Sequence, residues 1–97
     1  MIEVEMTSLE IAGLTGRNHR DIMRSIRDKL IPLVGVDSHC AKMRSGLYSV
    51  ISTTYLNEKK QPQPMFKLNK YAANALVANF KLEHALVVVE RIHELEQ

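Results

Sequence analysis

The sequence predicts an α+β fold, a winged helix-turn-helix with a β-hairpin wing and C-terminal helices, on three observations. Two short helix signatures meet across Thr15-Gly16. From Leu47 the composition turns to β-branched and aromatic residues, interrupted by a polar, basic turn. Two amphipathic segments rich in alanine, leucine and valine close the chain. Helical periodicity, then β-favouring residues around a turn, then helical periodicity again is the pattern of such a fold. Its 97 residues suit one domain, residues 1–97, with a modest core.

Thr7 with Glu10 three residues later is a capping box opening the first helix. Leu9, Ile11, Ala12 and Leu14 supply its apolar residues, and Gly16 can take the left-handed conformation that ends it. Asn18 followed by Asp21 opens a second helix, which Pro32 is expected to stop after about Leu30. The helix-turn-helix thus covers about 7–30. At about 100° per residue, Ile22, Ile26 and Leu30 share one stripe of the second helix, and Arg20, Arg24 and Arg27 fall opposite.

Residues 31–46 read as a loop, with Pro32, Gly35, Asp37-Ser38 and Ser45-Gly46. A hairpin follows over about 47–69. Its first strand carries Tyr48, Val50, Ile51, Thr53, Thr54 and Tyr55, its turn is Asn57-Glu58-Lys59-Lys60-Gln61, and Phe66 and Leu68 share a face of its second strand. The C-terminal helices cover about 70–96. Ala72, Ala73, Leu76, Val77 and Phe80 mark the first, and Leu82, Ala85, Leu86, Val89 and Ile92, widened by Val88 and Leu95, mark the second. The expected core is Ile11, Leu14, Ile22, Ile26, Leu30, Phe66, Leu68, Leu76 and Phe80. The apolar surface of the last helix is wider than one contact requires, which predicts a homodimer through Leu82–Glu96.

Net charge is only +2, but it is segregated. Residues 1–16 carry −3, residues 17–70 carry +7 and residues 71–97 carry −2. One basic surface on a neutral-to-acidic body suits a polyanion. A helix that docks with one face and presents three guanidiniums on the other is how a helix-turn-helix meets duplex DNA. Residues at the start of such a helix meet bases and later ones meet phosphate. Asn18, His19 and Arg20 are therefore assigned to bases, with Met23 or Arg24 next, and Arg17 and Arg27 to phosphate. Lys59 and Lys60 read as a wing tip reaching the backbone. Asp21 and Asp28 read as a cap and a local ion pair.

Other function classes find little support. Cys40 is the single cysteine, and Asp37, His39 and Cys40 match no zinc spacing. No phosphate loop, serine elbow or paired-carboxylate motif is present, so the chain reads as a non-enzyme without cofactor, metal or small-molecule substrate. No apolar run approaches the ~20 residues of a membrane span. An acidic start without a basic n-region is not a signal peptide, and a cytoplasmic location is expected.

The run Met6-Thr7-Ser8-Leu9-Glu10-Ile11-Ala12-Gly13-Leu14-Thr15-Gly16-Arg17-Asn18-His19, continuing through Arg24-Ser25-Ile26-Arg27, resembles the N-terminal domain of the Rha family of phage regulatory proteins. Tyr55-Leu56-Asn57-Glu58 and Pro64-Met65-Phe66-Lys67-Leu68 are similar to later segments of that family, so the likeness extends over about 6–96. The hairpin turn departs from the family, which usually has a glycine there. The resemblance implies a winged-helix-like regulator of transcription in the lytic–lysogenic programme, working in the cytoplasm of a bacterial host. The alternative is a protein-interaction module, antirepressor-like, that binds another regulator or a host protein.

Overall fold

A computed structural model describes residues 4–34 and 47–97. Of the loop expected over 31–46, residues 31–34 are helical instead, and Gly35 to Gly46, with Asp37, His39, Cys40, Lys42 and Arg44, lie outside the described residues. The architecture is α+β: β1 (Glu5–Thr7), α1 (Ser8–Thr15), α2 (His19–Ser25), a π-helical turn (Ile26–Leu30), α3 (Ile31–Val34), β2 (Val50–Leu56), β3 (Pro62–Asn69), α4 (Lys70–Val77) and α5 (Leu82–Leu95). The strands form an antiparallel sheet in the order β1-β3-β2.

The N-terminal strand was not expected. Val4 and Met6 are buried while Glu5 is exposed, so the period is two, over too few residues to stand out in sequence. Register sets Glu5 opposite Asn69 and Thr7 opposite Lys67. Glu5 and Lys67, diagonal neighbours on one face, form an ion pair at 3.6 Å. Where β1 gives way to α1, the next ladder position on β3 would lose its partner. The buried hydroxyl of Ser8 takes it, accepting from the Phe66 N–H at 3.0 Å. Pro62 and Pro64 fall in the part of β3 that β2 pairs and β1 does not reach, where a missing N–H is tolerated.

Pro32 does not end the second helix. Ile22, Ile26, Leu30 and Val34 are all buried at spacings of four. In an α-helix of 3.6 residues per turn such a stripe drifts about 40° at each step. The wider π turn over Ile26–Leu30 limits that drift and keeps Leu30 and Val34 on the core side. Its closing bond runs from the Ile31 N–H to the Ile26 carbonyl. Pro32, which has no N–H to donate, follows directly, where the wider turn has already broken the regular four-residue ladder.

One apolar cluster joins Val4, Met6, Ile11, Ile22, Ile26, Leu68, Leu76, Val88 and Ile92 with their neighbours. Of the expected core, Leu14 is an exception at 36% exposed, and Phe80 packs at the margin rather than inside. Asn69 organises the far end of the sheet. Its side-chain oxygen accepts from the Ala72 N–H at 2.9 Å, capping α4, and from the Ser49 N–H at 3.1 Å; its amide donates to the Leu47 carbonyl at 2.8 Å. The surface expected to form a dimer is narrower than expected. Val88 and Ile92 are 0% and 3% exposed and belong to the core, leaving Leu82, Leu86 and Val89 outward.

Candidate nucleic-acid interface

The two helices of the turn are held by short-range bonds that their sequence supplies. The Thr7 hydroxyl accepts from the Glu10 N–H at 3.0 Å and caps α1. The Glu10 carboxylate does not close the expected box; it accepts from Arg91 Nε of α5 at 3.3 Å. At the other end Gly16 sits at φ 72°, a backbone region costly to a side chain. Buried Thr15 donates to the Ile11 carbonyl at 2.8 Å and accepts from the Arg17 N–H at 3.3 Å, tightening the exit. Asn18 Oδ1 then accepts from the Arg20 N–H at 2.9 Å and starts α2.

Six of the nine candidate DNA residues fall into three groups. Arg20, Arg24 and Arg27 are exposed along the side of the helix away from Ile22 and Ile26, and none has an ion-pair partner among the described residues. Lys59 and Lys60 are exposed at the hairpin tip. Arg17 lies with its guanidinium 4.4 Å from the centre of the Phe80 ring, a cation–π contact that ties it to the segment between α4 and α5.

The other three are committed elsewhere. Met23 is 5% exposed, its sulfur 3.4 Å from the Ser8 hydroxyl, so it packs inward and is removed from the base-reading set. The Asn18 carbonyl oxygen is engaged as a cap. His19 is half-buried, with Nε2 2.9 Å from Ser8 Oγ and its ring edge-on to Tyr55 of β2 at 5.7 Å. Burial holds its pKa below the ordinary histidine value. Ser8 thus bonds α1 to both α2 and β3, and His19 fastens the start of α2 beside the hairpin. Sequence reading missed Ser8, Tyr55 and Phe80 as positioning residues, because their partners are remote in the chain.

The hairpin turn is built by Asn57. Its Oδ1 accepts from the Lys59 and Gln61 N–H groups, each at 2.9 Å, and its carbonyl accepts from the Lys60 N–H at 2.9 Å. Lys60 occupies φ 60°, the left-handed region that glycine favours. Two basic residues of the middle segment point elsewhere: Lys67 pairs with Glu5, and Lys70 pairs with Glu96 at 2.7 Å, which raises the Lys70 pKa. Asp21 and Asp28 are exposed on α2 and the π turn without ion-pair partners among the described residues. Among the described residues no group of three or more His, Cys, Asp or Glu is placed to hold a metal ion. No helix there is long and apolar enough to cross a membrane.

No curated protein and no solved structure matches this chain. One family model does, and it spans nearly the whole sequence. With residues 6–97 matching the model of phage regulatory protein Rha, the chain belongs to the Rha family of phage regulatory proteins.

Proposed function

We propose that this phage regulator binds duplex DNA through α2 as the recognition helix of a winged helix-turn-helix, with the β2–β3 hairpin as its wing, in the cytoplasm of the host cell. The observation that carries this is the row Arg20, Arg24 and Arg27, exposed and without ion-pair partners among the described residues, opposite a buried stripe. The strand order β1-β3-β2, with the helix pair between β1 and the hairpin, suits that architecture. The His19–Tyr55 contact brings the start of α2 to the hairpin, so arginines and wing lysines can follow one duplex.

Roles follow from which side chains are unoccupied. Arg20 is the first long side chain of α2 that no described residue holds, and it reads a base edge; Arg24 comes next. Arg17, steadied on Phe80, meets phosphate with Arg27, Lys59 and Lys60. Asn18 and His19 act through their position at the helix start, Asn18 retaining its amide donors for DNA. Each phosphate neutralised releases counterions, so about six contacts should weaken binding roughly a thousandfold between about 50 and 200 mM salt. Titrating genomic fragments, then the selected duplex, across that range tests the reading. Binding indifferent to salt, or none to any duplex, would overturn it.

A further inference from the structure

Among the described residues nothing covers one apolar face of α5. Leu82, Leu86 and Val89 are 72%, 50% and 44% exposed and lie at helical spacing, one continuous apolar stripe. The helix packs chiefly on α1 and α4 through a neighbouring side, about 110° round from the stripe, where Val88 and Ile92 are buried. One edge of the stripe is acidic. Glu83 and Glu90, two turns apart, are exposed and have no ion-pair partner among the described residues, whereas Glu94 and Glu96 are paired with Arg91 and Lys70. The other edge holds Ala85 and, at the helix start, Lys81.

We propose that this face docks a basic amphipathic helix of a partner protein, whose apolar side covers Leu82, Leu86 and Val89 and whose cationic flank meets Glu83 and Glu90. Charge chooses the occupant. Antiparallel pairing of α5 with a second copy lays the same edge of both helices together, carboxylate against carboxylate, which is repulsive at close range, and parallel pairing sets that edge against the Ala85 edge, where α5 offers it no Lys or Arg. A cationic flank turns that edge into an attraction and gives register. The stripe is on a different helix from the arginine row, so the partner and DNA need not compete. The inference goes beyond the DNA reading and does not depend on it.

The test uses a labelled helical peptide of about five turns, with leucines along one side and lysines on the flanks. A second peptide carries glutamates in place of the lysines. Fluorescence anisotropy should show saturable binding of the lysine peptide and weaker binding of the glutamate one. Leu82→Asp and Leu86→Asp should each weaken it about tenfold. Leu82 is exposed enough for its variant to keep the native circular dichroism. Glu83→Lys combined with Glu90→Lys should reverse the preference between the peptides. Equal binding of both, binding of neither, or self-association of the parent chain that Leu82→Asp abolishes would overturn the proposal. Peptide results as expected, with no binding to any duplex, would support this docking face and sink the DNA reading alone.

Discussion

Arg20 and Arg27 share a side of one helical path but stand at different distances from its start, and they should act differently on DNA. On the proposed DNA reading Arg20 stands at the end that would enter a groove and bond a base edge bidentately; Arg20→Ala should cost about 1–3 kcal/mol on the cognate site and relax preference at one base pair. Arg27→Ala should weaken cognate and scrambled duplexes alike and lower the salt slope by about one. Equal losses for both variants on both duplexes would show a helix that supplies charge without reading sequence. Lys60 separates charge from conformation. Lys60→Gly and Lys60→Ala remove the same charge, yet only glycine relieves φ 60°, so thermal melts should place the glycine variant above the alanine one by up to about 1–2 kcal/mol. His19 carries a pH signature. Its folded pKa is lowered by burial, so the unfolded chain binds the proton first. This contribution to stability is full above about the unfolded value of 6.5 and declines as pH falls below it. Melting His19→Gln beside the parent between neutral and acid pH should show a shallower decline for the variant.

At the scale of elements, Asn69 joins three pieces of backbone that no pattern in sequence connects. It caps α4, accepts from Ser49 ahead of β2 and donates to Leu47. Asn69→Ala should cost about 1–3 kcal/mol in a denaturant titration. Asn69→Asp keeps the oxygen that caps the helix and loses the amide that reaches Leu47, so it should fall between parent and alanine variant. An aspartate variant no better than alanine would show that the link to Leu47, not the cap, dominates. The π turn makes a related point. Sequence placed Ile22, Ile26 and Leu30 on one stripe and read Pro32 as a stop. Both the stripe and the proline are accommodated because a wider turn precedes the proline.

Across the whole molecule, the +7 of residues 17–70 divides into charge available to a polyanion and charge already balanced. Lys70 is held by Glu96, and Lys67 by Glu5. Arg24 has no such partner among the described residues. Arg24→Gln should therefore reduce DNA affinity and flatten its salt dependence, while Lys70→Gln, an equal change in net charge, should leave both nearly unaltered. Parallel salt titrations of the two variants check this, and equal effects would mean that net charge rather than placement governs binding.

What the sequence determined by itself was local. Thr7 and Asn18 as helix starts, Gly16 as a stop, the arginine side of α2 and the basic hairpin tip were all legible, because each rests on residues within a few positions of one another. The α+β class followed from the order of those signals, and the family likeness from the runs Met6 to His19, Arg24 to Arg27, Tyr55 to Glu58 and Pro64 to Leu68. Tertiary structure alone decided which side chains remain available. Met23 lies on the expected helix yet packs against Ser8, and His19 is held by Ser8 and Tyr55. Leu14 is left outside while Val88 and Ile92 go in, and a three-residue strand finds its place beside β3. Each of these depends on a partner eleven or more residues away or on the packing of a separate element. Helical periodicity reports which residues share a face, and only packing reports what that face meets.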